Sequence, residues 1–540
     1  MRQMELEFIY LALFGIIVVL GQLFNRTAIP MALLLVITGM LLSFLPGMPI
    51  LRLDPDIVLN IFLPILIYHI SSSSSWRELR KNRRPVLSLS IGHVIFMAVV
   101  VAWVMHHLIP AMSWSLALLL GSLVAPPDDV AIVSIAEKIR MPARVVTILE
   151  GEGMFNDAAA LILFRFSLAA IATNTFSIPA AVTDFVVVIV GETLYGFAVG
   201  WVMGEWRKHI HNTSLHMIAS LLTPFVAYYP ATHLGGCGVL ATAVAGFMIG
   251  NRYAPYFSPE FRLVSRSIWP MLSFLVQSIV YLLLGLNLHL ILRNISLVSL
   301  PILYFYSLIV IALVVVGRFV WVFPSVYLPR FLSASLRKKD PYPPWQYPVI
   351  VSWAGMRGSI SLAAALAVPV LPQIIEGVNT QDFLLFIVFS VIVVTFVLQG
   401  LTLPLLLKLL GVHKLGQQEN YKNHLLELKT RLKLVRAVIR WLLTYKKSVE
   451  NDNKILEQIN LSLASYRRTK IMLVERIAEH TDGQPHDEVA EAHAENVVAA
   501  QIIAMERAEL LRLWREEKIN LHIRNKLLDR LDHRSHYIHA

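Results

Sequence analysis

The sequence predicts an all-α polytopic membrane protein of about thirteen transmembrane helices, followed by a helical C-terminal region. Three observations lead there. Apolar runs of about 15 to 30 residues, each able to cross a hydrocarbon core with some tilt, recur from Phe8 to Leu410. Of the 540 residues 56% are hydrophobic and 15% are charged, with a mean hydropathy of +0.62, which is more apolar sequence than a soluble core uses. After about Gly411 the composition turns abruptly to charged, leucine-periodic sequence. The chain therefore divides into a membrane domain, residues 1–410, and a helical C-terminal domain, residues 411–540.

The runs cover about residues 8–24, 30–45, 57–74, 86–108, 113–135, 146–172, 182–203, 217–231, 236–250, 264–289, 296–328, 347–371 and 382–410. The first follows a weakly acidic leader and reads as a span rather than a cleaved signal. Lys and Arg set the orientation. Arg77, Arg80, Lys81, Arg83 and Arg84 lie between spans three and four, and Lys138, Arg140 and Arg144 between five and six. Arg207 with Lys208, Arg252 with Arg262, and Arg330, Arg337, Lys338 and Lys339 occupy the alternate loops that follow, leaving Arg52 and Arg293 on the opposite side. This places the N-terminus outside and the C-terminal region in the cytoplasm. It also accounts for the net charge of +11 without a nucleic-acid partner. The single cysteine, Cys237, excludes an intrachain disulfide and a thiolate zinc cluster.

In the C-terminal region Tyr421–Tyr445, Ile455–His480 and Val489–Leu531 read as amphipathic helices, the last two separated by the turn-rich Thr481–His486. They are expected to pair with one another or with a partner subunit. His533, His536 and His539 read as a solvated tail, since no cysteine or acidic ligand set accompanies them.

Span six carries the chemistry. Leu149–Phe164 reads L-E-G-E-G-M-F-N-D-A-A-A-L-I-L-F and sets Glu150, Glu152, Asn156 and Asp157 in an otherwise apolar segment. A charge at membrane depth persists only where it faces a cavity, a partner or an ion. On a helix Gly153 and Asp157 share one face and Glu152 and Asn156 the neighbouring one. One face is thus suited to hold an ion and the other to fix the helix. Span five is interrupted by Ala125-Pro126-Pro127-Asp128-Asp129, which cannot continue a regular helix, and span twelve by Ala354-Gly355-Met356-Arg357-Gly358-Ser359. Backbone freed at membrane depth must line a cavity or be buried in protein. Two broken spans in corresponding positions of the two halves are the pattern of an inverted-repeat transporter with a midplane site. At such a crossing Asp128 or Asp129 offsets the positive helix ends and Arg357 the negative ones.

These segments, Gly121–Ala131, Glu150–Ala158, H-L-G-G-C-G-V-L-A-T-A-V-A-G (His233–Gly246), G-M-R-G-S-I-S-L-A-A-A-L (Gly355–Leu366) and L-Q-G-L-T-L (Leu398–Leu403), together resemble the monovalent cation:proton antiporter-1 family, bacterial sodium/proton exchangers of the plasma membrane. The resemblance covers about residues 8–410. It implies two inverted six-helix repeats linked by span seven, a core domain that moves against a dimerisation domain, and a homodimer in membrane lipid. No cofactor is implied beyond the transported H+ and Na+, Li+ or K+, and no resident metal. By resemblance Asp157 matches the cation- and proton-binding aspartate and Asn156 its supporting asparagine, which implies electroneutral exchange. Asp128 matches the acid of the broken fifth helix, with Asp129 beside it. Glu152 matches a glutamate paired with a core arginine, for which Arg318 and Arg357 are both candidates. The sequence departs from the family pattern at Pro127, where a threonine is usual, at Gly153, usually serine, at Thr232, usually an acid, and at His69, where span three commonly carries a glutamate. His69 is a second titrating group if it faces the same cavity and a packing residue if it does not.

The mechanism that follows is competition: one buried carboxylate is neutralised by a proton or by a cation, but not by both. If the core domain crosses readily only when neutral, that competition couples opposite fluxes. Two other functions compete with this reading. A relative that has lost transport, acting as a sensor or scaffold through its C-terminal helices, is compatible with the altered ligands. An intramembrane aspartyl protease would use Asp128 and Asp157, but the tyrosine-aspartate and glycine-x-glycine-aspartate contexts it needs are absent, so the chain is not read as an enzyme.

Overall fold

The computed structural model describes residues 12–23, 30–45, 54–128, 141–173, 178–293, 299–369, 374–448 and 453–481, with scattered positions besides. Arg52, Asp129, Lys138, Arg140, His533, His536 and His539, and nearly all of the segment 489–531, lie outside the described residues. Two compact units divide the chain, residues 1–417 and 418–540.

In the first unit every predicted apolar run contains helix. In chain order these are α1 (Ala12–Leu23), α2 (Met31–Ser43), α3 (Pro55–Ser73), α4 (Arg83–Leu108), α5 (Trp114–Val124), α6 (Ala143–Thr173), α7 (Ile178–Lys208), α8 (Thr213–His233), α9 (Val239–Met248), α10 (Pro259–Leu286), α11 (Leu300–Leu332), α12 (Gln346–Trp353), α13 (Ser359–Leu366) and α14 (Thr380–Leu409). Among the described residues seven helices are long and apolar enough to cross a bilayer. The largest apolar core joins residues of α1–α6 to residues of α10–α14. α14 lies deepest, with 67% of its most apolar window buried, whereas α7 has 22% and turns a broad apolar face outward. That face fits a lipid boundary, since lipid chains are as apolar as Leu.

Close helix contacts rest on small residues, because between membrane helices attraction comes from packing rather than from water exclusion. Gly39 of α2 and Gly285 of α10 show this. A Cβ on either would run into the backbone of the other helix.

Wide π-helical turns interrupt α3 at Val58–Phe62 and α4 at Ser88–His93, locally re-aiming the side chains that follow. Between α13 and α14 stands an unanticipated two-residue hairpin, Ile374–Ile375 with Val378–Asn379, whose turn residues Glu376 and Gly377 both have positive φ.

In the second unit, most of α15 (Val412–Ser448) and the whole of α16 (Asn453–Thr481) correspond to the first two predicted amphipathic helices. Leu428, Leu432 and Val435 pack with Leu473 and Ile477, while Leu442 packs with Ile459 and Leu463. Early positions of one helix meet late positions of the other, so the pair is antiparallel. The spacing of 428, 432, 435, 439 and 442 is the seven-residue apolar seam of a coiled coil.

Candidate functional site

The two interrupted spans meet. α5 stops at Val124 ahead of Pro126 and Pro127, which cannot supply the N–H groups a helix needs. α12 stops at Trp353 and α13 resumes at Ser359. Between these ends Pro127 and Arg357 face each other as an isolated antiparallel bridge, and the Asp128 N–H donates to the Met356 carbonyl at 2.7 Å. The Arg357 N–H donates to Thr395 Oγ1 on α14 at 3.2 Å. Backbone groups released by both breaks are thus paired inside the protein. A Cβ at position 358 would collide with the Asp128 carboxylate, so Gly358 is what permits the crossing.

α6 passes beside this crossing, and its two polar faces separate as the helical period requires. Asn156, fully buried, donates from Nδ2 to the Pro127 carbonyl at 2.6 Å. Glu152 accepts from both Arg318 Nη1 and Nη2, at 2.7 and 2.8 Å, with both side chains buried. Arg318 Nε is held by the Val351 carbonyl at 3.0 Å. Of the two arginines open to Glu152 in the sequence, Arg318 is therefore the one that meets it. Arg357 turns its Nη1 to the Gly355 carbonyl at 3.0 Å, just beyond the C-terminal end of α12, where a cation complements the helix dipole.

On the next face Gly153 and Asp157 line a cavity of about 40 Å³, together with Pro126, Pro127, Asp128, Gly358 and Ser361. Leu63, Leu66, Ile67 and Ile70 of α3 close its apolar side. The space suits about three or four water-sized occupants, at about 10–15 Å³ each. Asp157 also borders a smaller hollow, of about 10 Å³, with Ser122 and Phe164. Carboxylate, hydroxyl and backbone oxygens are what a hard monovalent cation accepts in place of its hydration shell.

His69 lies elsewhere. It stacks on Trp269, with ring centroids 6.2 Å apart, in a separate cavity that Asp157 does not line. One position along a helix is a 100° turn, and that turn takes His69 away from Ile70.

Several residues went unnoticed in the sequence. Tyr281 of α10 donates its hydroxyl to Asp128 Oδ2 and packs edge-on against Phe396 at 5.5 Å. A tyrosine in an apolar run carries no signal that separates it from a packing residue. His93, at the end of the wide turn in α4, is fully buried with neither ring nitrogen hydrogen-bonded. Glu192 of α7, also buried, accepts the backbone N–H groups of Cys237, Gly238, Leu240 and Ala241. It caps the start of α9 and so gives the glycine-rich His233–Gly246 stretch a structural purpose, with Gly235 and Gly238 at positive φ. A glutamate inside an apolar run was the available signal.

The sodium/hydrogen exchanger transmembrane family matches residues 9–409. An uncharacterized Na+/H+ exchanger of Mycobacterium tuberculosis is 32% identical over 400 residues, 73% of each chain. A protein of Bacillus pumilus named as a sodium, potassium, lithium and rubidium/H+ antiporter is 26% identical over 508 residues, covering 91% of this chain and 72% of its own length. The solved structure of the sodium proton antiporter MjNhaP1 from Methanocaldococcus jannaschii superposes with a TM-score of 0.56 at 17% identity, over 76% of this chain and 99% of the other. That likeness carries the fold, and the family match carries the kinship. The chain is a multi-pass membrane protein and belongs to the sodium/hydrogen exchanger family.

Proposed function

We propose that the protein exchanges a monovalent cation, Na+ foremost, for H+ across the plasma membrane, with Asp157 as the site the two ions share. The observation that carries this reading is the cavity where Asp157 and Asp128 face each other's surroundings at the crossing of two broken helices. Asn156 fixes the crossing through Pro127, Asp128 and the backbone near Pro126 serve as secondary ligands, and Asp129, the next residue in the sequence, is kept as a further candidate ligand. Glu152 with Arg318 is the internal ion pair, and Arg357 balances charge at the helix ends. His69, which lines a separate cavity, is assigned no part in ion binding.

Charge bookkeeping at the crossing favours electroneutral exchange. Among the described residues Glu152 and Arg318 cancel and the charges of Asp128 and Arg357 balance, leaving the single negative charge of Asp157. One proton or one monovalent cation neutralises it, and the neutral core is the form that moves through a low-dielectric boundary at least cost. Residues 1–410 form the transmembrane antiporter domain, with about thirteen spans in two inverted repeats. Residues 411–540 form a cytoplasmic helical domain, the N-terminus lies outside, and the working unit is a homodimer.

The test is proton movement in proteoliposomes carrying a pH gradient on addition of Na+, Li+, K+ or Rb+. Dissipation by at least one cation that vanishes in Asp157→Asn is expected. No response of folded wild type to any of the four between pH 5 and 9 would refute exchange and favour a transport-inactive sensor or scaffold working through its C-terminal helices.

A further inference from the structure

A second cavity, of about 400 Å³, opens where the ends of α3 and α7 approach the first turns of α10. Arg207, Arg262 and Arg266 line it with His69, Ser220 and Trp269, and no carboxylate does so among the described residues. Arg207 is the unusual member. It is 1% exposed, in the last turn of α7. Its Nη1 donates to Tyr68 Oη at 2.9 Å, and its guanidinium lies over the rings of Phe257 and Phe261, 4.8 and 5.3 Å from their centroids. Its Nε has no hydrogen-bond partner.

A buried guanidinium is costly unless an anion meets it. The nearest acid in sequence, Glu205, is occupied: Lys208 binds it at 2.9 and 3.0 Å and Tyr253 at 3.0 Å. The C-terminal end of α7 offsets part of the charge. Arg262 and Arg266, four residues apart on α10, then add two more cations to the same space rather than an anion. Such convergence of like charge is stabilised by a ligand bearing several anionic oxygens, for which arginine forks are suited. Trp269 and the two phenylalanines supply apolar surface beside it.

We propose that this cavity binds a phosphate-bearing anion, with Arg207 as its buried anchor and Arg262 and Arg266 at its mouth. Two sources share that chemistry, the headgroup of an anionic phospholipid and free phosphate. The site is separate from the Asp157 cavity, and its occupancy is read without reference to transport.

The test uses the full chain in detergent. Native mass spectrometry would measure retention of phosphatidylglycerol and of phosphatidylcholine, and thermal unfolding would be followed with and without inorganic phosphate. The variants are Arg266→Gln, whose side chain is exposed, and Arg207→Lys, which keeps the charge but loses the fork. A lipid site predicts that wild type holds phosphatidylglycerol in preference to phosphatidylcholine and that each variant lowers the bound fraction about tenfold, the loss expected of one strong charge-assisted contact. A free-phosphate site predicts no lipid preference but a rise in unfolding temperature with phosphate that both variants diminish. Equal retention of the two lipids together with no response to phosphate overturns the proposal, as does binding by both variants equal to wild type.

Discussion

Asn156 and Asp157 are adjacent in sequence and face different surroundings: Asn156 donates at 2.6 Å to the Pro127 carbonyl of the chain crossing, while Asp157 lines the cavity beside it. On the proposed function this division separates stability from ion binding. Asn156→Ala leaves the Pro127 carbonyl without its buried donor and is expected to destabilise by about 1–3 kcal/mol. Asp157→Asn removes a charge from a cavity of about 40 Å³ and is expected to abolish exchange with no loss of thermal stability. Unfolding temperatures and proteoliposome flux on the two variants check the contrast. If Asp157→Asn unfolds earlier than Asn156→Ala while transporting normally, the two assignments are reversed.

If proton and cation share the Asp157 carboxylate, as proposed, exchange depends on pH in a defined way. A proton on Asp157 must leave before a cation binds, so acid weakens apparent cation affinity. In the limit where the protonated form dominates, the apparent KM rises tenfold for each unit fall in pH; above that range it becomes independent of pH, as for any two ligands competing for one site. Initial rates against Na+ concentration at several pH values measure this directly. A KM flat across pH 5 to 9, with activity retained, would show that cation and proton bind different groups.

The Glu152–Arg318 pair is bidentate and sealed from solvent, at 2.7 and 2.8 Å. Removing one partner strands a buried charge and costs about 3–5 kcal/mol, whereas removing both leaves none. Glu152→Gln and Arg318→Met are therefore each expected to lower thermal stability sharply, and the double variant to recover much of the loss. Additive losses in the double variant would show that the pair is not coupled.

How much of this was legible depended on the residue type. Charges in apolar sequence are conspicuous, so Glu152, Asp157 and Asp128 stood out, and the prolines and glycines announced both broken spans. The partner of Glu152 was not legible, because Arg318 and Arg357 differ only in how α11 and the α12–α13 break pack, which no local pattern records. His69 sits where a family acid is common, yet the turn of α3 points it at Trp269. The capping role of Glu192 depends on a loop from another hairpin folding back onto α7. The heptad seam of α15 and α16 lay at the other extreme, since an apolar stripe in charged sequence has few alternative readings.

Tyr281 leads to the last prediction. Its hydroxyl donates to Asp128 Oδ2, and it belongs to α10, which packs along α2 through Gly39 and Gly285 rather than within the crossing itself. It thereby ties the broken span to a neighbouring helix layer. A hydrogen bond to a carboxylate contributes about 1.5–3 kcal/mol, and a phenylalanine keeps the ring and its contact with Phe396 while removing only the donor. Tyr281→Phe is expected to leave the fold intact and, if Asp128 is a secondary ligand as proposed, to shift the apparent KM for the cation by about tenfold, because an Asp128 carboxylate without this donor keeps its charge but presents a stronger potential to the cavity. If the tie also restrains movement, kcat changes with it, whereas a purely electrostatic effect moves KM alone. Measuring both parameters separates the two, and a variant indistinguishable from wild type in each would reduce Tyr281 to a packing residue.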